Sequence, residues 1–131
     1  MSSSDGGSPR RVGLLTQDLL VRSRVEAALV IGPAKVETVA GDELDEEFDL
    51  LLVDLNRNWE QRLSWLGRTA ATWPAVEVIC FGPHTEMAQL SSRARAAGAT
   101  SCVANSHLAQ TLQRWQRSGQ GAPARPRRAA Q

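Results

Sequence analysis

The stretch Leu50-Leu-Leu-Val53 is the most apolar run of the chain, and two acidic residues, Asp49 and Asp54, flank it. An apolar run this short, bounded by charged residues, is typical of a parallel strand that is covered on both faces. We therefore expect it to form the central strand of a sheet, with Asp54 at the carboxyl end of that strand.

Other apolar runs and helical stripes alternate on both sides of this strand. The remaining strands are predicted at residues 12–15, 35–40, 76–81 and 101–104. Between them, apolar residues recur at helical spacing, and these helices are expected to end at Gly32, Trp73 and Gly98. The acidic segment 42–49, which has Leu44 and Phe48 as its large apolar residues, is interpreted as a short surface helix.

This alternation of strand and helix predicts a flavodoxin-like α/β fold, a doubly wound sandwich of three layers around a five-stranded parallel sheet. Flavodoxins, receivers, some cobalamin-binding domains and small Rossmann-like domains share this plan. The first predicted strand is not followed by Gly-x-Gly-x-x-Gly, which argues against a dinucleotide site. The turn at Thr16-Gln-Asp18 lacks the hydroxyl and glycine run that holds a flavin phosphate, and the chain has no Asp-x-His-x-x-Gly motif for cobalamin.

The composition indicates one globular domain. Of the 131 residues, 42% are hydrophobic and 22% are charged, and a chain of this length can bury a proper core. Residues 1–10 and 119–131 are rich in Ser, Gly, Pro, Ala and Arg, which predicts a disordered leader and tail around a domain at 11–118. Because we find neither a membrane-spanning run nor a secretory signal, we expect a cytoplasmic protein with no membrane partner.

The net charge of +1 has its positive excess near the two ends of the chain, at Arg10, Arg11, Arg125, Arg127 and Arg128. The acids therefore outnumber the bases in the body of the domain. Since nucleic-acid binding depends on basic side chains that meet phosphates, nucleic acid is not an expected partner.

Three motifs suggest a family. Leu-Leu-Val-Asp54-Leu-Asn, Val78-Ile-Cys-Phe-Gly-Pro-His84 and Ala96-Ala-Gly-Ala-Thr follow one another in the order found in response-regulator receiver (CheY-like) domains. The resemblance extends over residues 11–115. It implies a receiver fold, with Asp54 at the position of the phosphoacceptor aspartate.

The chain also departs from the receiver pattern at the pocket that surrounds this aspartate. Thr16 and Gln17 replace the acidic pair, Gly82 replaces a Thr or Ser, and Asn105 replaces the lysine. Asp18 lies one position beyond the acidic pair. Phosphoryl transfer to an aspartate needs Mg²⁺ held by carboxylates, together with positive charge near the phosphoryl oxygens. We therefore predict a degenerate pocket, no cofactor and no metal site.

The function predicted from these features is that of a stand-alone, receiver-like (pseudo-receiver) signalling protein that acts by protein–protein interaction, without phosphorylation. In the alternative, Asp18 substitutes for the missing acids, Mg²⁺ binds, and Asp54 is phosphorylated in a two-component phosphorelay. A third class, an enzyme or cofactor binder on the same fold, is disfavoured because the sequence shows no catalytic constellation. The expected partner is a histidine kinase, an output protein or a second copy of the chain in a homodimer.

The resemblance also indicates a candidate interaction face on the last two helices. It consists of Arg93, Arg95, His107, Arg114 and Trp115. His84 and His107 are not expected to bind a metal, because a third ligand is missing. Cys80 and Cys102 are expected on neighbouring strands as buried thiols.

Overall fold

The computed structural model describes residues 10–30 and 32–118. Strands and helices alternate along these residues. The strands are β1 (Arg10–Leu15), β2 (Ala34–Thr38), β3 (Leu50–Asp54), β4 (Glu77–Gly82) and β5 (Ser101–Ala104); the helices are α1 (Leu19–Ala28), α2 (Trp59–Thr72), α3 (Met87–Ala97) and α4 (Leu108–Ser118). Single turns of 3-10 helix, His84–Glu86 and Asn105–His107, precede α3 and α4. None of the described helices has the length and apolar character that crossing a membrane requires.

The sheet is parallel throughout and has the order β2-β1-β3-β4-β5, so β3 lies at its centre. All residues of β3 are buried, as its apolar sequence predicts. Helices α2 and α3 pack on one apolar layer of the sheet, and α1 and α4 pack on the other. This arrangement confirms the predicted doubly wound, three-layer α/β sandwich.

The segment 42–49 was predicted to be a surface helix, and this prediction is wrong, because the segment forms bends. Most of its residues are acidic, and like charges one helical turn apart destabilise a helix. Its backbone is held by two indoles instead. Trp65 Nε1 donates to the Asp42 carbonyl at 2.9 Å, and Trp73 Nε1 donates to the Leu44 carbonyl at 3.4 Å. Phe48 reaches the core from this segment without a helix.

Arg10 belongs to the folded domain and not to the predicted leader. Arg10, which was assigned to the leader, begins β1. Its guanidinium lies 3.5 Å from the centroid of the Trp115 ring and donates to the carbonyls of Trp115 and Gln116. The remainder of the predicted leader, 1–9, and the predicted tail, 119–131, lie outside the described residues.

Gly98 ends α3, as the sequence predicts. Its backbone has φ of 120°, a conformation that residues other than glycine rarely adopt. Its N–H donates to the carbonyls of Ala94 and Arg95. A Cβ atom at Gly98 would lie 2.6 Å from the Cβ of Ala70 on α2. This glycine therefore allows both the sharp turn into β5 and the close approach of α2 and α3.

Candidate functional site

Asp54 is the last residue of β3 and lies at the carboxyl edge of the sheet, where ligands bind in folds of this kind. The residue is 4% exposed. Its Oδ2 accepts a hydrogen bond from Thr16 Oγ1 at 2.7 Å, and its Oδ1 accepts from the backbone N–H and the side-chain amide of Asn56 at 2.9 and 2.7 Å. Both carboxylate oxygens are therefore already engaged by neutral donors.

Thr16 meets Asp54 because β1 and β3 are neighbours whose register pairs Leu15 with Val53. The Thr16 side chain is buried, and its hydroxyl oxygen also accepts from the backbone N–H of Asp18 at 3.1 Å. The Asp18 carboxylate in turn caps α1 by accepting from Leu20 N at 2.9 Å. The residues after β1 thus fix the start of α1, and Asp18 is used as a helix cap. Gln17 is exposed beside them.

Asn105 follows β5 and pairs with Asn56 across the edge of the sheet. Asn56 Nδ2 donates to Asn105 Oδ1 at 3.0 Å, and Asn105 Nδ2 donates to Asn56 Oδ1 at 2.8 Å. This reciprocal amide pair links the loop after β3 to the end of β5. Sequence reasoning identified Asn105 but missed Asn56, which provides two of the donors to Asp54.

Arg62 on α2 is the main residue of the site that sequence reasoning missed. Its Nη1 donates to the backbone carbonyl of Asp54 at 2.7 Å and lies 3.9 Å from Asp54 Oδ2. Both side chains are buried, with exposed fractions of 9% for Arg62 and 6% for Asp54. The sequence does carry a signal, because Arg62 lies one helical turn before the buried Leu66 and so on the buried side of α2.

Gly82 is buried at the end of β4, but it adds no polar group to this network. A Cβ atom at this position would meet the Sδ of Met87 at 3.3 Å and the Cβ of Leu55 at 3.5 Å. The space beside Gly82 is therefore apolar. The prediction that no hydroxyl is available here agrees with these surroundings.

Solved structures similar to this fold include response-regulator receivers. RcpA, a phosphorylated cyanobacterial phytochrome response regulator, has a TM-score of 0.71 at 16% identity, over 91% of this chain and 99% of its own. A response regulator from Thermotoga maritima has a TM-score of 0.69 at 19% identity, over 84% and 96%. The chemotaxis regulator CheY4 of Vibrio cholerae has 0.69 at 18%, over 85% and 98%. This chain has the receiver fold.

No protein-family model and no curated protein matches the sequence. At these levels of identity the structural likeness concerns the fold, so the chemistry of the pocket must be argued from its own side chains. The receiver fold does bring Thr16, Asp54 and Asn105 together at one edge of the sheet, as the sequence resemblance implied.

Magnesium, which receivers use at this position, does not fit the residues of this pocket. Mg²⁺ prefers carboxylate and water oxygens in octahedral geometry. Here Asp54 already accepts three hydrogen bonds, and the Arg62 guanidinium 3.9 Å from Oδ2 would repel a cation. Within residues 10–30 and 32–118, no group of three or more His, Cys, Asp and Glu side chains is placed to hold a metal ion.

Only some residues of the predicted interaction face are exposed in this receiver fold. His107, just before α4, and Arg114, on α4, are exposed. Trp115 is only 6% exposed, so its inclusion in an interaction face was wrong: it packs in the core between α1 and α4, under the guanidinium of Arg10.

The two arginines of α3 are exposed and contact neighbouring parts of the chain. Arg93 lies over the ring of Trp59 on α2, 5.4 Å from its centroid. Arg95 Nη1 donates to the carbonyl of Thr100 at 3.4 Å. Helices α3 and α4 cover opposite faces of the sheet, and both contact its edge strand β5.

The two cysteines lie side by side, as predicted, because the register pairs Cys80 on β4 with Cys102 on β5. Both are free thiols. Burial raises the pKa of Cys80 far above its ordinary value, and the neighbouring Cys102 adds to this effect. The pKa of Cys102 is also raised by burial. These thiols are protonated near neutral pH and are poor nucleophiles.

Proposed function

We propose that this chain is a cytoplasmic, receiver-like signalling protein that acts by contact with another protein, without enzymatic activity, cofactor or phosphorylation of Asp54. One observation carries the proposal. The Asp54 carboxylate is enclosed by Thr16 and Asn56 and lies beside the buried guanidinium of Arg62. Both oxygens of the Asp54 carboxylate are therefore already occupied by partners from the protein itself, whereas phosphorylation requires a free oxygen.

Phosphorylation of Asp54 would require several of these contacts to break. A carboxylate oxygen must be free to attack the phosphorus, and the new phosphoryl group must then find room and donors beside it. Here each oxygen is already a hydrogen-bond acceptor, and a metal does not fit. The buried charge of Asp54 is compensated inside the protein by Arg62, which makes the present state self-sufficient.

A second candidate function is supported by the same arginine. Asn105 replaces the lysine of the receiver pattern, so that positive charge is missing. The Arg62 guanidinium places another positive charge near Asp54. In this alternative the protein is a phosphorylatable single-domain response regulator, with Arg62 taking the part of the lysine and Asp18 that of the missing acids. Asp18 is engaged as the cap of α1, and this engagement favours the first proposal.

The proposed partner is a protein: a histidine kinase, an output protein or a second copy of the chain. The exposed leucines at the start of α1 support a protein contact, since Leu19 and Leu20 have exposed fractions of 80% and 68%. Large apolar side chains this exposed are costly in water and are typical of contact surfaces when they lie together. They lie beside the Asp54 network, which would place the contact at that edge of the sheet.

The test is to offer the protein phosphoryl groups and a phosphoryl analogue. We expect no phosphoryl adduct by intact mass spectrometry after incubation with acetyl phosphate and Mg²⁺, and no change in the amide spectrum near Asp54 with beryllofluoride. Asp45→Asn, at an exposed position of the acidic segment, serves as the matched carboxylate control. A phosphoryl adduct that is lost in Asp54→Asn and in Asp18→Asn but kept in Asp45→Asn would establish the response-regulator alternative instead.

A further inference from the structure

We propose that the cleft between α1 and α4 binds a small organic anion with an apolar body. This cleft has a volume of about 1010 Å³ and extends from the Asp54 network along the facing sides of the two helices. Neither the receiver resemblance nor the proposed protein contact requires such a site. The inference adds a small-molecule ligand to the molecule and does not depend on whether Asp54 is phosphorylated.

Part of the cleft wall is apolar, and small side chains leave that part open. Phe81 lines the cleft from β4, and Leu108 and Leu112 line it from α4. The neighbouring positions on the two helices carry alanines, at Ala27 and Ala109. Larger side chains at these positions would close the space between the two helices, but the methyl groups of alanine do not fill it. An apolar ligand body of moderate size therefore fits here. A cleft of this volume, in which an apolar wall faces convergent polar groups, has the size of a small-molecule site.

The charged groups of the cleft favour an anion. The cleft is lined by the arginines Arg24, Arg57 and Arg62 and by the acids Asp18 and Asp54. The acids are engaged, since Asp54 accepts at both oxygens and Asp18 caps α1. The structure shows no hydrogen bond or ion pair from Arg24 or Arg57 to any described residue. The arginines outnumber the acids, so the lining carries a net positive charge.

Arg62 is the group that makes the cleft a built site. Its side chain is about nine-tenths buried, with an exposed fraction of 9%. Among the described residues, Nη1 is the only nitrogen of its guanidinium with a partner, and that partner is Asp54. The other nitrogens of this guanidinium are not fully enclosed, so their donors can be reached from the cleft. A carboxylate or sulfonate in the cleft would accept from these donors in the bidentate geometry that arginine prefers.

The test uses two fluorescent probes of the same shape on the full-length protein. Anilinonaphthalene sulfonate carries an anionic head on an aromatic body, and N-phenylnaphthylamine is its uncharged parent. We expect saturable binding of one sulfonate probe per chain, with at least about tenfold higher affinity than the uncharged parent, since a charge-assisted contact contributes that much. Equal affinity for the two probes would overturn the anion part of the proposal.

Paired variants locate the site. Ala109→Trp fills the cleft from an exposed position on α4 and should abolish binding, whereas Ala88→Trp, at an exposed position on α3 outside the cleft, should leave it unchanged. Arg57→Met should weaken binding of the sulfonate about tenfold. Arg117→Met, at an exposed position outside the cleft, should have no effect. Arg57 and Ala109 are exposed, so these variants are expected to fold.

Two results would refute the proposal. Binding that does not saturate, or that persists in Ala109→Trp, would show that the probe is not in the cleft. Light scattering gives the oligomeric state. If the unmodified chain is a dimer and Ala109→Trp is a monomer, a second copy of the chain occupies the cleft. Both results are independent of the acetyl phosphate experiment, so the ligand site and the proposed function can fail separately.

Discussion

Arg62 contacts Asp54 in two ways at once. Its Nη1 donates to the Asp54 carbonyl at 2.7 Å and lies 3.9 Å from the carboxylate oxygen Oδ2. Because both side chains are buried, water screens this pair only weakly. Loss of the guanidinium would leave a buried carboxylate and a buried carbonyl each short of a partner. Breaking one side of a buried pair is more costly than the net contribution of the intact pair.

We therefore predict that Arg62→Met lowers the free energy of unfolding by about 3 kcal/mol. Arg68→Met, an exposed arginine on the same helix, should change it by less than about 0.5 kcal/mol. Urea denaturation measures both. In an Asp54→Asn background, Arg62→Met should cost less, because the buried charge that it leaves behind is gone. A cost that is the same in both backgrounds would show that Arg62 stabilises the protein through its packing and its bond to the Asp54 carbonyl, and not through the carboxylate.

At the residue scale, the sequence predicts those parts of the site that follow from strand ends. Thr16 and Asn105 each follow a strand and Asp54 ends one, so a parallel sheet must bring them to one edge. Arg62 cannot be predicted in this way, because its contact depends on how the loop from β3 to α2 turns back to Asp54. The burial of Trp115 also escapes prediction, since the arginine that covers it begins β1, far away in sequence.

At the element scale, periodicity predicts the strands and four of the helices closely, because each has a buried face with regular spacing. It fails at 42–49, where Leu44 and Phe48 have helical spacing but the acidic residues between them repel one another in a helix. The stabilising contacts of that segment come from Trp65 and Trp73. A tertiary contact of this kind is invisible in the local pattern.

The turn from α3 into β5 depends on one glycine, and two glycine substitutions test this. Gly98→Ala places a Cβ atom 2.6 Å from Ala70 in a backbone with φ of 120°, so we expect a loss of about 2–4 kcal/mol in the free energy of unfolding. Gly67→Ala on α2 meets nothing within 4 Å and should stabilise the protein by up to about 1 kcal/mol. Thermal unfolding of both variants distinguishes the two effects. Equal behaviour would contradict the close packing of α2 and α3.

Gln116 joins α4 to the end of α1, and its amide can be tested in the same way. Nε2 donates to the carbonyls of Leu29 and Gly32, both at 3.0 Å, and the side chain is buried. Gln116→Met keeps the volume but leaves these carbonyls without their donor, so we expect a loss of about 1–3 kcal/mol. Gln113→Met, one turn earlier and partly exposed, is the control and should be near neutral. Chemical denaturation of both proteins gives the comparison.

At the scale of the whole molecule, few groups titrate above neutral pH. The chain has no tyrosine and a single lysine, Lys35, and its other basic residues are arginines and two histidines. Arginine does not lose its proton in this range. The alkaline behaviour of the folded protein is therefore governed by its two cysteines, which the register of β4 and β5 places side by side.

Because burial raises the pKa of Cys80 and Cys102 in the folded state, their contribution to stability is fully present below the pKa of an unfolded thiol, about 8.5. Above that pH the unfolded chain loses protons that the folded chain keeps, so the free energy of unfolding should fall as pH rises, by up to about 1.4 kcal/mol per pH unit for each thiol. Cys80→Ala should flatten this decline, although it lowers stability at neutral pH by removing buried volume. Cys102→Ala, at a less buried position, should flatten it less. Urea denaturation at several pH values measures the slopes, and an alkaline slope that both variants leave unchanged would show that these thiols do not govern it.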